Sequence, residues 1–293
     1  IVAICSEGDE VIIPSPYWVS YPEMVKASGA TPVILNATKE NNFKILPMQL
    51  REAITPKTKL FILNSPSNPT GMIYSKDELQ EIAQILVEKG IYCISDEIYE
   101  KIIYDGQKHV SIASVNDKIK NITIVINGVS KAYSMTGWRI GYAAGPKEII
   151  KAMSNLQSHS TSNPTSIAQM AALAALEGTQ EPVSIMVSEF KKRRDYIVER
   201  LNSIEGVSCI KTQGAFYVFP DVSKLFGKSF NGKEIKDSMS LTELLLNEAK
   251  VAVIPGVAFG SDENLRLSYA SSIDNIEEGL NQIDKFIKTI LDK

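Results

Sequence analysis

An α/β fold, with a mostly parallel sheet carrying helices on both faces and a smaller α+β domain at the C-terminal end, is predicted by three observations. Short apolar runs without polar alternation recur through the first half of the chain, as strands buried on both faces do. A well-punctuated amphipathic helix lies between two of them, the alternation expected of a parallel doubly wound sheet. After a long helix the texture changes to short strand-like pieces and a final amphipathic helix.

The elements follow in order. Strand runs are read at Val11 to Ile13, Leu60 to Leu63, Ile91 to Ile94 and Ile122 to Ile126. Between the second and third, Ser75 and Glu78 form a capping-box pattern, Leu79, Ile82, Ala83 and Leu86 make an apolar stripe, and Gly90 supplies the stop. Pro182 opens a long helix through "FKKRRDYIVERL", whose "KKRR" reads as a solvated face. Beyond it, "GVSCIK" and "GAFYVF" read as two strands joined by a short turn, followed by "LTELLLNEA", "VAVIP" and "NLRLSYA". Ile276, Leu280, Ile283 and Ile287 then share one face of a terminal helix. The expected division is residues 1–180 as a large cofactor-binding domain, 181–202 as an interdomain helix and 203–293 as the small domain. The chain opens "IVAICSEGDE" without methionine and reaches the strand-like "DEVIIPSPYW" at once. It is therefore expected to start partway through a longer protein.

Composition narrows the function. The 31 basic and 34 acidic residues of the 293 nearly balance, for a net charge of −3, so neither a nucleic-acid footprint nor a polybasic membrane surface is indicated. Cys5, Cys93 and Cys209 are odd in number, far apart and without CxxC spacing, which points to reduced thiols in a cytoplasmic compartment. With only His109 and His159, a histidine-rich metal site is not expected. No apolar run reaches membrane-spanning length. Small-molecule chemistry is the remaining expectation.

Three of the strand runs lead into polar segments: "NSPSNPTG", "SDEIYE" and "NGVSK". Ligands of open parallel sheets bind at the carboxyl ends of strands, so Asn68, Asp96, Tyr99, Ser130 and Lys131 are expected at one edge, with Arg139 close by. An amine, a carboxylate, a phenol, a hydroxyl and a guanidinium together suit pyridoxal phosphate. That cofactor needs an amine for its aldehyde, an acid for its ring nitrogen, donors to its phenolate oxygen and a phosphate clamp.

"SNPTG", "SDEIYE", "SKAYSMTGWRIGY" and "NLRLSYA" in this order resemble the class I/II aminotransferases of fold type I, and "MTGWRIG" resembles their bacterial aspartate aminotransferase-like subgroup. The resemblance covers nearly the whole chain. It implies that Lys131 forms the Schiff base with pyridoxal 5′-phosphate and serves as the catalytic base and acid. It implies that Asp96 pairs with the ring nitrogen, Asn68 and Tyr99 bond the phenolate oxygen, Ser130 and Arg139 grip the phosphate, and Trp18 stacks on the ring. Arg266 would take the substrate's α-carboxylate, with Trp18 and Asn68 also touching substrate. The implied activity is a ping-pong amino transfer between an L-amino acid, expected to be aspartate, and a 2-oxo acid, expected to be 2-oxoglutarate, in a cytoplasmic homodimer with shared active sites.

Plainer readings stand beside these. Asp96 also fits a helix cap, "NPTG" an ordinary turn, and Trp18 and Tyr99 a core. Ser162, Asn163 and Pro164 match a family landmark, but Ser158 stands where dicarboxylate-specific relatives of another subgroup carry an arginine. The family's glycine-containing phosphate turn and its N-terminal arm would lie upstream of Ile1, so low activity is expected of the chain as given. An aromatic or prephenate aminotransferase, a pyridoxal-phosphate-dependent lyase, a regulatory cofactor-binding domain and an inactive folded module are the alternatives.

Overall fold

The computed structural model describes residues 1–291. Its first half is built on one sheet. Strand β1 spans Glu10–Ser15, β2 Thr31–Asn36, β3 Thr58–Asn64, β4 Tyr92–Asp96, β5 Thr123–Gly128 and β6 Gly141–Ala144, in the spatial order β2-β1-β3-β4-β5-β6. The first five are parallel, and β6 runs antiparallel to β5.

The uninterrupted apolar runs arise because both faces of the sheet are covered. Val11, Ile13, Leu60 and Ile62 pack on one face with Tyr21 and Val25 of helix α1 (Ser20–Ala27). Ile12, Phe61, Leu63 and Cys93 point the other way, into a cluster with Leu50 of α2 (Pro47–Ala53), Leu79, Ile82 and Leu86 of α3 (Lys76–Lys89), and Ile119 of α4 (Asp117–Lys120). Helix α3 begins and ends where its punctuation says. Ser75 accepts a hydrogen bond from the Glu78 amide while the Glu78 carboxylate accepts from the Ser75 amide, and Gly90 closes the helix in the left-handed region at φ +67°.

Helices α5 (Lys147–Ser158) and α6 (Ser166–Glu177) lead to α7, Glu181–Asn202, with Pro182 in its first turn. The remaining elements are β7 (Tyr217–Val218), β8 (Ser229–Phe230), β9 (Lys233–Glu234), α8 (Ser238–Asn247), β10 (Ile254–Pro255), β11 (Leu265–Ser268) and α9 (Ile273–Leu291). β10, β11 and β7 form a small antiparallel sheet. Ile276, Leu280, Ile283 and Ile287 of α9 are buried, in one cluster with Ile197, Val198 and Leu201 of α7 and with Tyr99, Ile102 and Tyr104 from beyond β4.

Two differences from the expected elements stand out. "GVSCIK" and "GAFYVF" do not form a regular hairpin: the first is irregular apart from a bridge from Ser208 to Asp221, and the second keeps β7 and a bridge from Gly214 to Ile103. The intervening segment is used elsewhere, because the amides of Gln213 and Gly214 bond the Gly71 carbonyl and the Ala215 amide bonds that of Ile102. A Cβ on Gly71 would lie 2.5 Å from the Gly214 carbonyl oxygen, so only glycine permits this approach. Strands β2 and β6, both at sheet edges, lie outside the four apolar runs.

Candidate active site

Parallel strands end at the same edge, and here four neighbours end together. β1 is followed by Trp18, β3 by Asn68, β4 ends on Asp96 and leads to Tyr99, and β5 is followed by Ser130 and Lys131. Asn64, Asp96 and Ile126 sit side by side in register across β3, β4 and β5. Because β6 is antiparallel, its first residue returns to the end of β5, pairing Gly141 with Gly128. The loop between them therefore starts and finishes at this edge, which brings Arg139 back beside Lys131. A Cβ on Gly128 would meet the Gly141 Cα at 3.0 Å, so the two glycines set this close return. Arg139 itself lies in the left-handed region at φ +53°, with Nη1 donating to the Thr136 carbonyl at 2.8 Å. Sparsely populated backbone of this kind clusters at functional sites.

The C-terminal part closes the edge. The Tyr17 amide donates to the Phe259 carbonyl and the Ser15 hydroxyl to that of Gly260. Arg266 on β11 is thereby held with its guanidinium over the rings of Tyr217 and Phe259, 4.6 and 4.8 Å from their centres, and Nη1 donates to Asn68 Oδ1 at 3.1 Å.

The result is a cleft of about 430 Å³, of ordinary size for a small-molecule site. Trp18, Asn68, Asp96, Tyr99, Ser130, Lys131, Arg139 and Arg266 all line it, so the structure brings together every site residue named from the sequence. It adds Tyr21, Asn64, Ile98, Ile126, Thr136 and Tyr217. Of these, Asn64 lies at a strand's carboxyl end and Tyr21 one helical turn beyond Trp18, positions a reading of strand ends and helix spacing could have found. Tyr217 comes from 118 residues beyond Tyr99 and meets it hydroxyl to hydroxyl at 3.1 Å; no local signal marks it.

The alternatives left open by the sequence can be compared with these positions. No helix follows Asp96; its Oδ1 accepts the Ile98 amide two residues on at 3.2 Å, a local turn, while Oδ2 accepts the Tyr21 hydroxyl at 2.6 Å. Asn64 braces the neighbourhood, its amide donating to the Asp96 carbonyl and its side-chain oxygen accepting from the Asn68 amide. Trp18 is partly exposed on the cleft, whereas Tyr99 is buried. His109 does not line the cleft and is bonded to Glu97 at 2.9 Å.

Electrostatics follow from burial. Lys131 is held below the usual lysine range, first because burial disfavours its charged form and then because Arg266 and Arg139 repel it, with Asp96 pulling the other way. Burial pushes the Asp96 carboxyl up, against the Tyr21 and Ile98 hydrogen bonds. Burial likewise pushes the Tyr99 phenol far above its usual range, so it is a hydrogen-bond donor throughout the working pH.

The donor set fits pyridoxal phosphate on chemical grounds. An amine with lowered proton affinity suits an aldehyde, a carboxylate with two fixed donors suits a ring N–H, the Asn68 amide and Tyr99 hydroxyl suit a phenolate, and the Ser130 hydroxyl with the Arg139 guanidinium suits a phosphate.

Comparison with known proteins bears on the same geometry. The family described as aminotransferase class I and II matches residues 1–283. Aspartate aminotransferase of Geobacillus stearothermophilus is 54% identical over 285 residues, 97% of this chain and 72% of the relative. An aspartate/prephenate aminotransferase of Cereibacter sphaeroides is 49% identical over 288 residues, covering 98% and 72%. Among solved structures, aspartate aminotransferase from Rhizobium meliloti superposes with a TM-score of 0.95 at 42% identity, covering 98% of this chain and 72% of that one.

Proposed function

The chain belongs to the class I and II aminotransferases, which depend on pyridoxal phosphate, and from that membership we propose that it moves an amino group between aspartate and 2-oxoglutarate at the cleft described above. The observation that carries the proposal is the meeting of Lys131, Asp96 and Arg266 on one cavity although they come from three distant parts of the chain.

Pyridoxal phosphate, when bound, supplies an electrophilic carbon for amine exchange and a ring that accepts the electron pair left on the substrate's α-carbon. The protein supplies the rest. Lys131 Nζ, neutral more readily than an ordinary lysine, would take the proton from the substrate α-carbon and deliver it to the carbon that carried the cofactor's aldehyde. Asp96 would pair with the ring nitrogen and favour its protonated form. Asn68 and Tyr99 would hold the phenolate oxygen, Ser130 and Arg139 the phosphate, and Trp18 a ring face. Arg266, set against the rings of Tyr217 and Phe259 and tied to Asn68, would bond the substrate's α-carboxylate.

The same proposal assigns residues 1–180 to a large domain, 181–202 to the interdomain helix and 203–293 to a small domain. It takes the protein to be a cytoplasmic homodimer. Ile167, Met170, Leu173 and Leu176, exposed along α6, support an interface between two copies. Among the described residues, no helix is long and apolar enough to cross a membrane.

The test is a panel of amino donors and oxo-acid acceptors assayed with the chain and added pyridoxal phosphate. Fastest transfer from aspartate to 2-oxoglutarate is the expected result. Preference for prephenate as acceptor is the second reading, favoured by the Cereibacter relative; preference for aromatic donors, or elimination in place of transfer, would overturn the aspartate assignment.

A further inference from the structure

Tyr21 is not among the residues to which the proposed reaction gives a task, yet it touches two of them. It is the second residue of α1, one turn after Trp18, and it is buried. Its hydroxyl donates to Asp96 Oδ2 at 2.6 Å, and its ring meets the Trp18 indole edge-on, centroids 5.4 Å apart and planes at 88°. The two oxygens of Asp96 thus receive one donor each, from different elements: the phenol of α1 at Oδ2 and the Ile98 amide, in the turn after β4, at Oδ1. A carboxylate gripped at both oxygens cannot rotate without losing a bond.

The charged and titratable neighbours act in both directions. Burial raises the proton affinity of Asp96 and Glu97 adds to it, while Lys131 lowers it; the Tyr21 hydrogen bond is the foremost influence holding the carboxyl down. Burial, and then Asp96 itself, push the Tyr21 phenol well above its usual range, so it keeps its proton and only donates. The neighbouring Tyr99 phenol is also held protonated.

We propose that Tyr21 is a positioning residue of this site: its hydroxyl fixes the orientation of the Asp96 carboxyl and its ring fixes the tilt of Trp18, so that one side chain sets the relation between the two groups that would meet the cofactor ring. The inference rests on the cofactor assignment made above. A buried tyrosine serving only to fill the space beneath α1 would need its ring but not its hydroxyl, and this separates the two roles.

Tyr21→Phe keeps the ring and removes the donor; Tyr21→Leu removes both. The first readout needs no cofactor. In the full chain without added pyridoxal phosphate, the Asp96 carboxyl carbon is followed by NMR against pH, its signal assigned by loss in Asp96→Asn. The midpoint should rise by about one unit or more in Tyr21→Phe. The second readout is the emission of Trp18 in a Trp138→Phe background, since the chain has only two tryptophans. Emission should be unchanged in Tyr21→Phe and shifted in Tyr21→Leu. The dissociation constant for pyridoxal phosphate should rise about tenfold in Tyr21→Phe, as for loss of one charged hydrogen bond, and further in Tyr21→Leu. An Asp96 midpoint that stays put in Tyr21→Phe overturns the proposal. Absence of any visible cofactor band in the unsubstituted chain would instead overturn the cofactor assignment, and the carboxyl titration decides the part played by Tyr21 in either case.

Discussion

Arg266 Nη1 donates to Asn68 Oδ1 at 3.1 Å, joining residues 198 positions apart in the sequence. The bond ties β11 to the loop after β3 at the cleft. With Tyr217 and Phe259 beside its guanidinium, it leaves Arg266 little freedom to turn.

This pre-orientation predicts that Arg266→Lys is not a conservative change. An ammonium offers no planar face to the rings and cannot bond a carboxylate with two parallel donors. The KM for the amino donor should rise about a hundredfold with cofactor absorbance retained. Steady-state kinetics with an absorbance spectrum of each preparation checks this, and an unchanged KM would remove Arg266 from the substrate site.

Lys131 should cost stability in the cofactor-free chain. Its folded proton affinity is lowered, chiefly by burial. Between the lowered value and the ordinary one, the unfolded chain binds more protons than the folded chain, so stability rises with pH across that window. Lys131→Met should therefore raise the melting midpoint at pH 7 by about 1–3 °C while abolishing turnover. The gain should shrink as pH climbs through the lysine range. Thermal melts at pH 7 and at about pH 10.5, near the ordinary lysine value, test the sign; a less stable Met variant at pH 7 would contradict it.

Asp96→Asn preserves an oxygen for the Ile98 amide, so the local turn should survive. Removing the charge should lower kcat by roughly a thousandfold, the scale seen when one preorganised electrostatic contact is lost. Turnover and circular dichroism measured on the same sample distinguish this from simple unfolding. Near-normal turnover would take Asp96 out of the site.

Glu97, the residue after β4, should contribute to acid stability. Burial pushes its carboxyl up, but hydrogen bonds from His109, Ser111 and Ser95 outweigh that and hold it below the usual glutamate range. Its stabilisation is present above the unfolded value and is lost as pH falls through the folded one. Glu97→Gln should therefore flatten the acid loss of stability in that interval, as read from urea midpoints against pH. Parallel curves for the two proteins would show that Glu97 carries no such linkage.

Contrary to the solvated face expected of "KKRR", Arg194 of α7 is fully buried, with Nη1 and Nη2 bonded to Asp105, Nε and Nη2 to Asp195, and Nη1 also to the Thr212 carbonyl. Arg194→Met leaves the buried Thr212 carbonyl without its donor, while Asp105 and Asp195 are partly exposed and keep Lys191 and Lys211, so it should cost about 1–3 kcal/mol. Urea denaturation measures the loss, and a cost below about 1 kcal/mol would mean that solvent replaces the guanidinium.

Most of the residues expected at the cleft were tied to local signals, whereas Trp18 and Arg266 were placed there by the family resemblance alone. Apolar runs marked β1, β3, β4 and β5, the capping box and Gly90 bounded α3, and the polar segments at the strand ends announced Asn68, Asp96, Ser130 and Lys131. Strands β2 and β6 escaped because edge strands carry weaker signatures. Pro32 interrupts β2, where an edge position tolerates the missing N–H, and "GYAA" of β6 has little apolar bulk. The expected hairpin of "GVSCIK" with "GAFYVF" failed because Gln213, Gly214 and Ala215 spend their amides on Gly71 and Ile102 instead.

By itself, then, the sequence determined which residues stand at the ends of the parallel strands, because period, caps and strand order are properties of neighbouring residues and of parallel connection. Tertiary structure alone decided that Tyr21 grips Asp96, that Tyr217 meets Tyr99 and that Arg266 reaches Asn68. Those contacts depend on cross-strand register, on the turn that brings α1 back over the sheet edge and on the docking of β7 and β11 against it. Residues separated by 75 to 198 positions meet only when the whole chain has folded, and nothing in the local pattern around either partner records the distance between them.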